Sequence, residues 1–154
     1  MVFKHCLLFE KLFKRMLVLF IMKQTRSTGG IVVNSKGQIL IVNNKEKIST
    51  WGFPKGHVKG READLTTAKR EIYEETGVGD LEYGKKLGTY KRQSTYDSSD
   101  IKNITMFLFR TKQVKLNPTD PRTAKVKWVD KNKVTDILTH EEDKNFYLKF
   151  IDEL

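Results

Sequence analysis

The chain has 154 residues, a length typical of one domain, so an enzyme with a separate lid domain is not expected. Its one cysteine, Cys6, excludes an internal disulfide, a CxxC redox pair and a zinc site built from several cysteines, and favours a reduced, cytoplasmic protein. The net charge of +10 favours polyanionic partners such as nucleotides, RNA or anionic lipid, although a solvated lysine-rich surface is the simpler explanation.

Residues 1–22 form a segment that differs from the rest of the chain, because apolar residues crowd between five charged ones. The longest uncharged run after Arg15 covers residues 16–22, far short of the roughly 20 apolar residues of a membrane span. A basic amphipathic helix on a membrane surface and a translation start at Met22 both explain the segment. The start at Met22 is preferred, so membrane association is not expected, and residues 23–154 are assigned to the domain.

The next part of the chain predicts strands and one well-defined helix. Apolar residues 31–33 and 39–42 flank a turn over residues 34–37, which predicts a β-hairpin. Residues 62–76 carry apolar side chains at helical spacing and are followed by Gly77, which predicts a helix that ends at this glycine. Polar residues before Trp51 predict a loop that leads into residues 51–56.

The second half of the chain predicts three more strands and a closing helix. The strands are expected around residues 85–90, 104–109 and 126–129. Thr139 and Glu142 predict a capping box at the start of the closing helix. Strands and helices that alternate in this way indicate one α/β domain. The apolar residues expected on one face of the closing helix are Phe146, Tyr147, Phe150, Ile151 and Leu154.

Acidic residues concentrate on the predicted helix over residues 62–76. Glu71 faces both Glu74 and Glu75, because residues three and four apart are neighbours on a helix, and the three carboxylates repel one another. Arg70 pairs with Glu74 at i, i+4 but cannot neutralise all three. A divalent cation could bind two of the carboxylates, and Mg²⁺ or Mn²⁺ suits such oxygen ligands. The alternative is a solvated acidic helix face.

The spacing of these residues favours the metal site. Gly56 is followed after five residues by Glu62, and after seven more by the sequence REIYEETGV, which ends at Val78. Residues 56–78 thereby resemble the Nudix box of the Nudix hydrolases at every defined position. The resemblance implies an α/β fold, a Nudix-type α/β/α sandwich with a mixed central sheet, in which the box holds magnesium against a pyrophosphate. GxSxG and P-loop patterns are both absent from the sequence, so no serine or cysteine nucleophile is indicated.

Carried over position by position, the resemblance implies a set of metal-binding and catalytic residues. The carboxylates would bind Mg²⁺, with Mn²⁺ as an alternative, and one of them, or a carboxylate outside the box, would polarise the attacking water. Glu62 and Arg70 would orient the box, and a backbone carbonyl of Lys55 or Gly56 would complete the metal shell. The expected metal ligands are Glu71, Glu74, Glu75 and Gly56, and the expected catalytic residues are Arg70 and the same three glutamates.

The flanks of the box narrow the expected substrate. Residues 51–57 (WGFPKGH), Trp128, Val129 and residues 138–144 resemble the dinucleoside tetraphosphate hydrolase branch of the family. The resemblance implies a dinucleoside polyphosphate such as diadenosine tetraphosphate as substrate. Alternatives are an oxidised nucleoside triphosphate, an RNA 5′ end, or a non-catalytic nucleotide-binding module. No DNA partner is expected, and the sequence indicates no oligomeric state.

Four basic or aromatic residues are candidates for substrate contacts. Lys55 and His57 would contact polyphosphate through charge-assisted hydrogen bonds, although both also fit an ordinary loop. Tyr90 and Arg92 lie beside Lys91 and near Tyr96 in a stretch suited to stacking a base and pairing with phosphate. A tyrosine on a strand is more often a core residue, so only one of the two tyrosines is expected to contact substrate.

Two further acidic groups are weaker candidates. Asp97 and Asp100 would add a carboxylate from a neighbouring loop, although residues 94–100 are more typical of a polar turn. Glu141, Glu142 and Asp143 would also reach a site, but acids in the first turn of a helix interact favourably with the helix dipole and need no catalytic role.

Overall fold

The computed structural model describes residues 9–17, 22–45 and 48–154. These residues contain seven strands that join into one sheet. The strands are β1 (Lys23–Asn34), β2 (Gln38–Lys45), β3 (Ser49–Gly52), β4 (Lys55–His57), β5 (Glu82–Gln93), β6 (Asp100–Thr111) and β7 (Thr123–Asp130). The strand order along the main path is β3-β2-β1-β6-β5, while β4 also pairs with β1 and β7 also pairs with β2.

The sheet is mixed. β1 and β6 run parallel over their full length, whereas the other strand pairs are antiparallel. The predicted hairpin is confirmed, because Val33 of β1 pairs with Ile39 of β2. Asn34 fixes its turn, since its side-chain oxygen accepts hydrogen bonds from the backbone N–H groups of Lys36 and Gln38 at 2.9 and 3.0 Å.

The helices are α1 (residues 9–17), α2 (Asp64–Thr76), α3 (Val134–Ile137) and α4 (Glu141–Leu148), with 3-10 turns at Lys131–Lys133 and Ile151–Glu153. The predicted end of α2 is confirmed. Gly77 has a left-handed φ of 76°, and its N–H donates a 2.7 Å hydrogen bond to the Tyr73 carbonyl. Glycine is the residue that adopts this conformation at least cost, and it closes the helix here.

Side chains alternate between the two faces of the sheet and build one core on each. Ile31 and Ile39 belong to the core under α3 and α4, which also contains Phe53, Phe146 and Tyr147. Val32 and Leu40, next to them in sequence, belong to the core under α2 with Ala68 and Ile72. Because successive strand residues point to opposite faces, the sheet buries both sides. The expected α/β/α sandwich is therefore confirmed.

Three local expectations were wrong. The closing helix has no capping box, because His140 is its N-cap and has no side-chain capping hydrogen bond. Thr139 is used elsewhere, since its hydroxyl accepts a hydrogen bond from the Trp51 N–H at 2.8 Å. α4 ends at Leu148 and a 3-10 turn follows, although the expected apolar face does pack on the core. The loop expected before Trp51 ends earlier than predicted, because β3 already begins at Ser49.

The N-terminal segment is described in part. Residues 9–17 are helical, and their apolar side chains, including Phe9 and Met16, are exposed. Residues 1–8 and 18–21, which complete the predicted amphipathic segment, lie outside the described residues. The start at Met22 and the domain boundary at residue 23 therefore stay predictions. Across residues 9–17, 22–45 and 48–154, every helix is too short or too polar to cross a bilayer.

Candidate active site

A cavity of about 240 Å³ lies between β3, β4, α2 and the segment before α4. Two buried carboxylates line it, those of Glu71 and Glu75, which we call the carboxylate pair. Lys55 and Arg92 also line it and are called the cation pair. Other lining residues include Asn44, Trp51, Gly56, His57, Tyr96, Lys102, Arg122 and His140. Acidic and basic groups thus share one opening.

Glu71 sits directly over the backbone of β4. A Cβ atom on Gly56 would lie 2.1 Å from Glu71 Oε2, so only glycine leaves room for this carboxylate. Glu71 is 3% exposed, and its Oε1 accepts a 2.6 Å hydrogen bond from Arg70 Nη1. Its Oε2 is buried and has no hydrogen-bond partner. A buried charged oxygen without a partner is costly, so this atom is suited to a cation.

Glu75 lies one helical turn further along α2 and is 4% exposed. Its Oε1 accepts a hydrogen bond from Asn44 Nδ2 and its Oε2 one from the Lys55 backbone N–H, both at 2.9 Å. Burial raises the pKa of Glu75 to about 7, although the bond from Asn44 and the positive charge of Lys55 lower it. Both oxygens of this acid are therefore held in place.

Arg70 connects the acidic residues of α2 with the loop before it. Its Nε and Nη2 donate to the two oxygens of Glu62 at 3.0 and 2.9 Å, and Nη2 also donates to the His57 carbonyl. Its Nη1 donates to Glu71 and, at 3.1 Å, to Glu74, which confirms the predicted i, i+4 pair. The hydrogen bonds from Arg70 and Thr67 lower the pKa of Glu62 to about 2.

The structure does not bring the three box glutamates into one opening. Glu74 lines a second, shallow depression together with Asp120 and Arg122, and Arg70 Nη1 donates hydrogen bonds to both Glu74 and Glu71. Within the part of the chain that is described, no three His, Cys, Asp or Glu side chains converge closely enough to hold a metal ion. Of the three glutamates predicted as metal ligands, Glu71 and Glu75 line the cavity beside Gly56 and Glu74 does not.

The cation pair is held by one buried acid, Asp143 of α4. Asp143 accepts hydrogen bonds from Tyr90 Oη at 2.6 Å and Arg92 Nη1 at 3.1 Å, and Lys55 Nζ lies 3.8 Å from it. Burial raises the pKa of Asp143, but Lys55, Arg92 and Tyr90 together lower it below its usual range. Tyr90 does not line the cavity, because its ring stacks on Phe146 at 4.6 Å.

The remaining sequence candidates take different positions. His57 lines the cavity, and desolvation and the nearby Lys102 lower its pKa. Asp97 closes a local turn with Ser99, and Asp100 is buried against Thr25. Neither lines the cavity; Asp97 lies in the expected polar turn, whereas Asp100 is the first residue of β6.

Sequence reasoning set Asp143 aside as a helix-dipole residue and missed Asn44. A signal for Asp143 was available, because it lies three and four residues before Phe146 and Tyr147. It is therefore the acidic member of an apolar helix face, which places it in the core. Asn44 carries no such signal, since it reaches Glu75 only through the pairing of β2 in the sheet.

The fold and sequence resemble several known proteins. The chain is 37% identical over 71 residues to a putative 8-oxo-dGTP diphosphatase of Bacillus subtilis. The aligned region covers 46% of each protein. It is 25% identical over 145 residues to an RNA pyrophosphohydrolase of Zymomonas mobilis, covering 83% of this chain and 93% of that protein. An Ap4A hydrolase structure from C. elegans has a TM-score of 0.73 at 18% identity, covering 84% and 96% of the two chains, and shows the shared fold.

The extent of these matches differs. The chain spans less than two thirds of the length of the Bacillus protein and of several other curated relatives. A family model, by contrast, covers nearly the whole of the folded domain: the model described as the NUDIX domain matches residues 23–153. With this match, and with residues 56–78 running from β4 through a loop and α2 beside the cavity, the chain belongs to the Nudix domain family.

Proposed function

We propose that this protein hydrolyses a phosphoanhydride bond in a nucleoside diphosphate-linked substrate, with a divalent cation as cofactor. One observation carries the proposal: a single cavity is lined by the carboxylate pair and by the cation pair, all four side chains largely removed from solvent. Cations suit the phosphate oxygens of a substrate, and clustered carboxylates suit the metal that accompanies them.

The donor atoms of the cavity fit a hard cation such as Mg²⁺. Glu71 Oε2 is a buried carboxylate oxygen without a partner, beside a glycine whose missing Cβ makes room for it. Glu71, Glu75 and the backbone carbonyl of Gly56 would hold the cation, and Glu74 would join them if its side chain left Arg70. When bound, Mg²⁺ supplies charge neutralisation for phosphate oxygens and makes water more acidic.

The protein's own residues supply orientation. Arg70 fixes the carboxylate of Glu71, while Asn44 and the Lys55 N–H fix both oxygens of Glu75. Lys55 and Arg92 offer charged donors to the phosphate chain, and their burial strengthens these contacts because the local dielectric is low. Hydrolysis of a phosphoanhydride depends mainly on such positioning and electrostatic stabilisation, so no nucleophilic side chain is required.

We infer that dinucleoside polyphosphates, diadenosine tetraphosphate first among them, are the preferred substrates. The resemblance of residues 51–57 and 138–144 to that branch supports this choice. An RNA 5′ end or an oxidised nucleoside triphosphate is the second candidate. The RNA pyrophosphohydrolase that aligns with 83% of this chain favours the former, and the Bacillus protein the latter.

Product analysis on a nucleotide panel in ¹⁸O-labelled water tests these alternatives. The panel contains diadenosine tetraphosphate, 8-oxo-dGTP and 5′-triphosphorylated RNA, each with Mg²⁺ and with EDTA. We expect diadenosine tetraphosphate to have the highest kcat/KM and to give ATP and AMP. A higher kcat/KM for 8-oxo-dGTP or RNA would refute the preferred substrate in favour of the second candidate.

Substitution of the carboxylate pair tests whether the chain is an enzyme at all. Glu71→Gln and Glu75→Gln are expected to lower kcat by about a hundredfold or more, since each removes a charge from the site of reaction. Glu82→Gln, which changes an exposed acid on β5 away from the cavity, is the matched control. Binding of these nucleotides without hydrolysis of any of them would favour a non-catalytic nucleotide-binding module.

A further inference from the structure

One buried anion holds two buried cations next to the cavity. The Asp143 side chain is fully buried, while those of Lys55 and Arg92 are only 12% and 9% exposed. Asp143 itself does not line the cavity, whereas Lys55 and Arg92 do. Asp143 can therefore act on a ligand in the cavity through the cation pair.

The charges of this group do not balance. Two positive side chains share one carboxylate, and Arg92 Nε is buried without a hydrogen-bond partner. A buried charge with an unused donor is costly unless an acceptor satisfies it. Lys55 and Arg92 both line the cavity, so a ligand that enters it can offer further acceptors to this group. The phosphate chain of a nucleotide, with several charged oxygens, has the required chemistry.

The geometry of Asp143 is fixed by three elements that are far apart in the sequence. Lys55 belongs to β4, Tyr90 and Arg92 belong to β5, and Asp143 belongs to α4. Tyr90 donates to the second oxygen of Asp143 and stacks on Phe146 one turn along α4, so the carboxylate cannot rotate freely. A charged acceptor fixed in this way holds Arg92 through a hydrogen bond and attracts Lys55, whose Nζ also donates to the Phe53 carbonyl at 3.3 Å.

We propose that Asp143 is a positioning residue: its buried carboxylate fixes Lys55 and Arg92 as a phosphate-binding cation pair that binds polyphosphate without a divalent cation. This proposal takes its class of substrate from the proposed function. The test measures binding without turnover, so the positioning role of Asp143 can be refuted even if the protein hydrolyses its substrate, and supported even if it does not.

The test measures binding of inorganic tripolyphosphate to the full chain in EDTA by isothermal titration calorimetry. Wild-type protein is expected to bind, and Asp143→Asn, which keeps the shape but removes the charge, is expected to bind about tenfold more weakly. Glu142→Gln makes the same change on an exposed neighbouring residue of α4, and its affinity is expected to stay within about threefold of wild type.

A double-mutant cycle separates positioning from a general loss of structure. If Asp143 acts through Arg92, Asp143→Asn has a smaller effect in an Arg92→Gln background than in wild type. If the two substitutions instead lower the affinity independently, so that their fold-changes multiply in the double mutant, the proposal is overturned. Wild-type protein that fails to bind tripolyphosphate in EDTA, or an Asp143→Asn variant that binds as tightly as wild type, would also overturn it.

Two further measurements keep the proposal testable. For a hydrolysed substrate, Asp143→Asn is expected to raise KM by about tenfold and to change kcat by less than about threefold, because the proposal assigns the cation pair to substrate binding and not to the chemical step. An equal fall in kcat would contradict this. If Asp143→Asn does not fold, Arg92→Lys, which keeps a cation for Asp143, is expected to bind tripolyphosphate more tightly than Arg92→Gln. Equal affinities of these two variants would overturn the proposal.

Discussion

Gly56→Ala tests whether the Glu71 carboxylate acts from the position described. The added Cβ would lie 2.1 Å from Glu71 Oε2, and real Cβ atoms essentially never come within 3.0 Å of another atom. The carboxylate must therefore move by about 0.9 Å or more, because it is the end of a flexible side chain and yields before the backbone does. The substitution thus displaces one functional group with little damage to the sheet.

The expected loss of activity is large and the expected loss of stability is small. A displacement of about 1 Å at a reacting centre costs roughly a hundredfold in rate. Loss of the bond from Arg70 to Glu71 removes about 1–2 kcal/mol, which corresponds to a fall in Tm of several degrees. kcat/KM for the best substrate and the thermal unfolding midpoint measure the two effects. Gly79→Ala is the control, because its Cβ would meet only the Tyr73 ring, at 3.3 Å.

A double mutant shows whether Gly56→Ala acts through Glu71. In a Glu71→Gln background, Gly56→Ala is expected to lower the residual activity by less than about threefold, since the group that it displaces is already lost. Folded Gly56→Ala protein with activity within about threefold of wild type would refute the reasoning, because Glu71 would then act from somewhere other than its place over β4.

Three other substitutions test two residues of the box and one residue that contacts it. Glu62→Gln should lower the free energy of unfolding near neutral pH. The difference from wild type should shrink as pH falls from 4.5 toward 2, because the ionised Glu62 is more stable in the folded than in the unfolded protein and becomes protonated over this range. Urea unfolding at several pH values measures this. Gly77→Ala should cost about 2 kcal/mol or more of unfolding free energy, since φ is 76° and a backbone atom lies 2.4 Å from the new Cβ. Asn44→Ala frees one oxygen of Glu75 and should lower kcat by about tenfold in steady-state assays.

Local signals were enough to predict the hairpin and α2, because both depend on residues close in sequence. The turn needs only Asn34 and its neighbours, and α2 needs an apolar stripe and a terminal Gly77. β4 could not be predicted in this way. It has three residues and pairs with β1, so its extended conformation depends on a partner strand almost thirty residues away. Three residues are too few to show the alternation of apolar and polar side chains by which a strand is predicted.

Local sequence signals also limited what could be predicted about the site. Helical spacing predicted that Glu71 neighbours both Glu74 and Glu75, and it neighbours both. Adjacent residues point about 100° apart around a helix, so Glu74 and Glu75 lie on opposite flanks of Glu71. Which flank meets the cavity depends on β4 and on the choice of partners by Arg70. Neither is encoded in the spacing of the box.

The charge distribution of the cavity makes binding and turnover differ in their need for metal. The carboxylate pair repels phosphate until a cation neutralises it, whereas the cation pair attracts phosphate with or without metal. Removal of Mg²⁺ with EDTA is therefore expected to abolish hydrolysis while tripolyphosphate affinity falls by less than about tenfold. Calorimetry and product assays on the same protein sample compare the two. A loss of affinity as complete as the loss of turnover would mean that the metal alone, and not Lys55 and Arg92, brings the polyphosphate to the site.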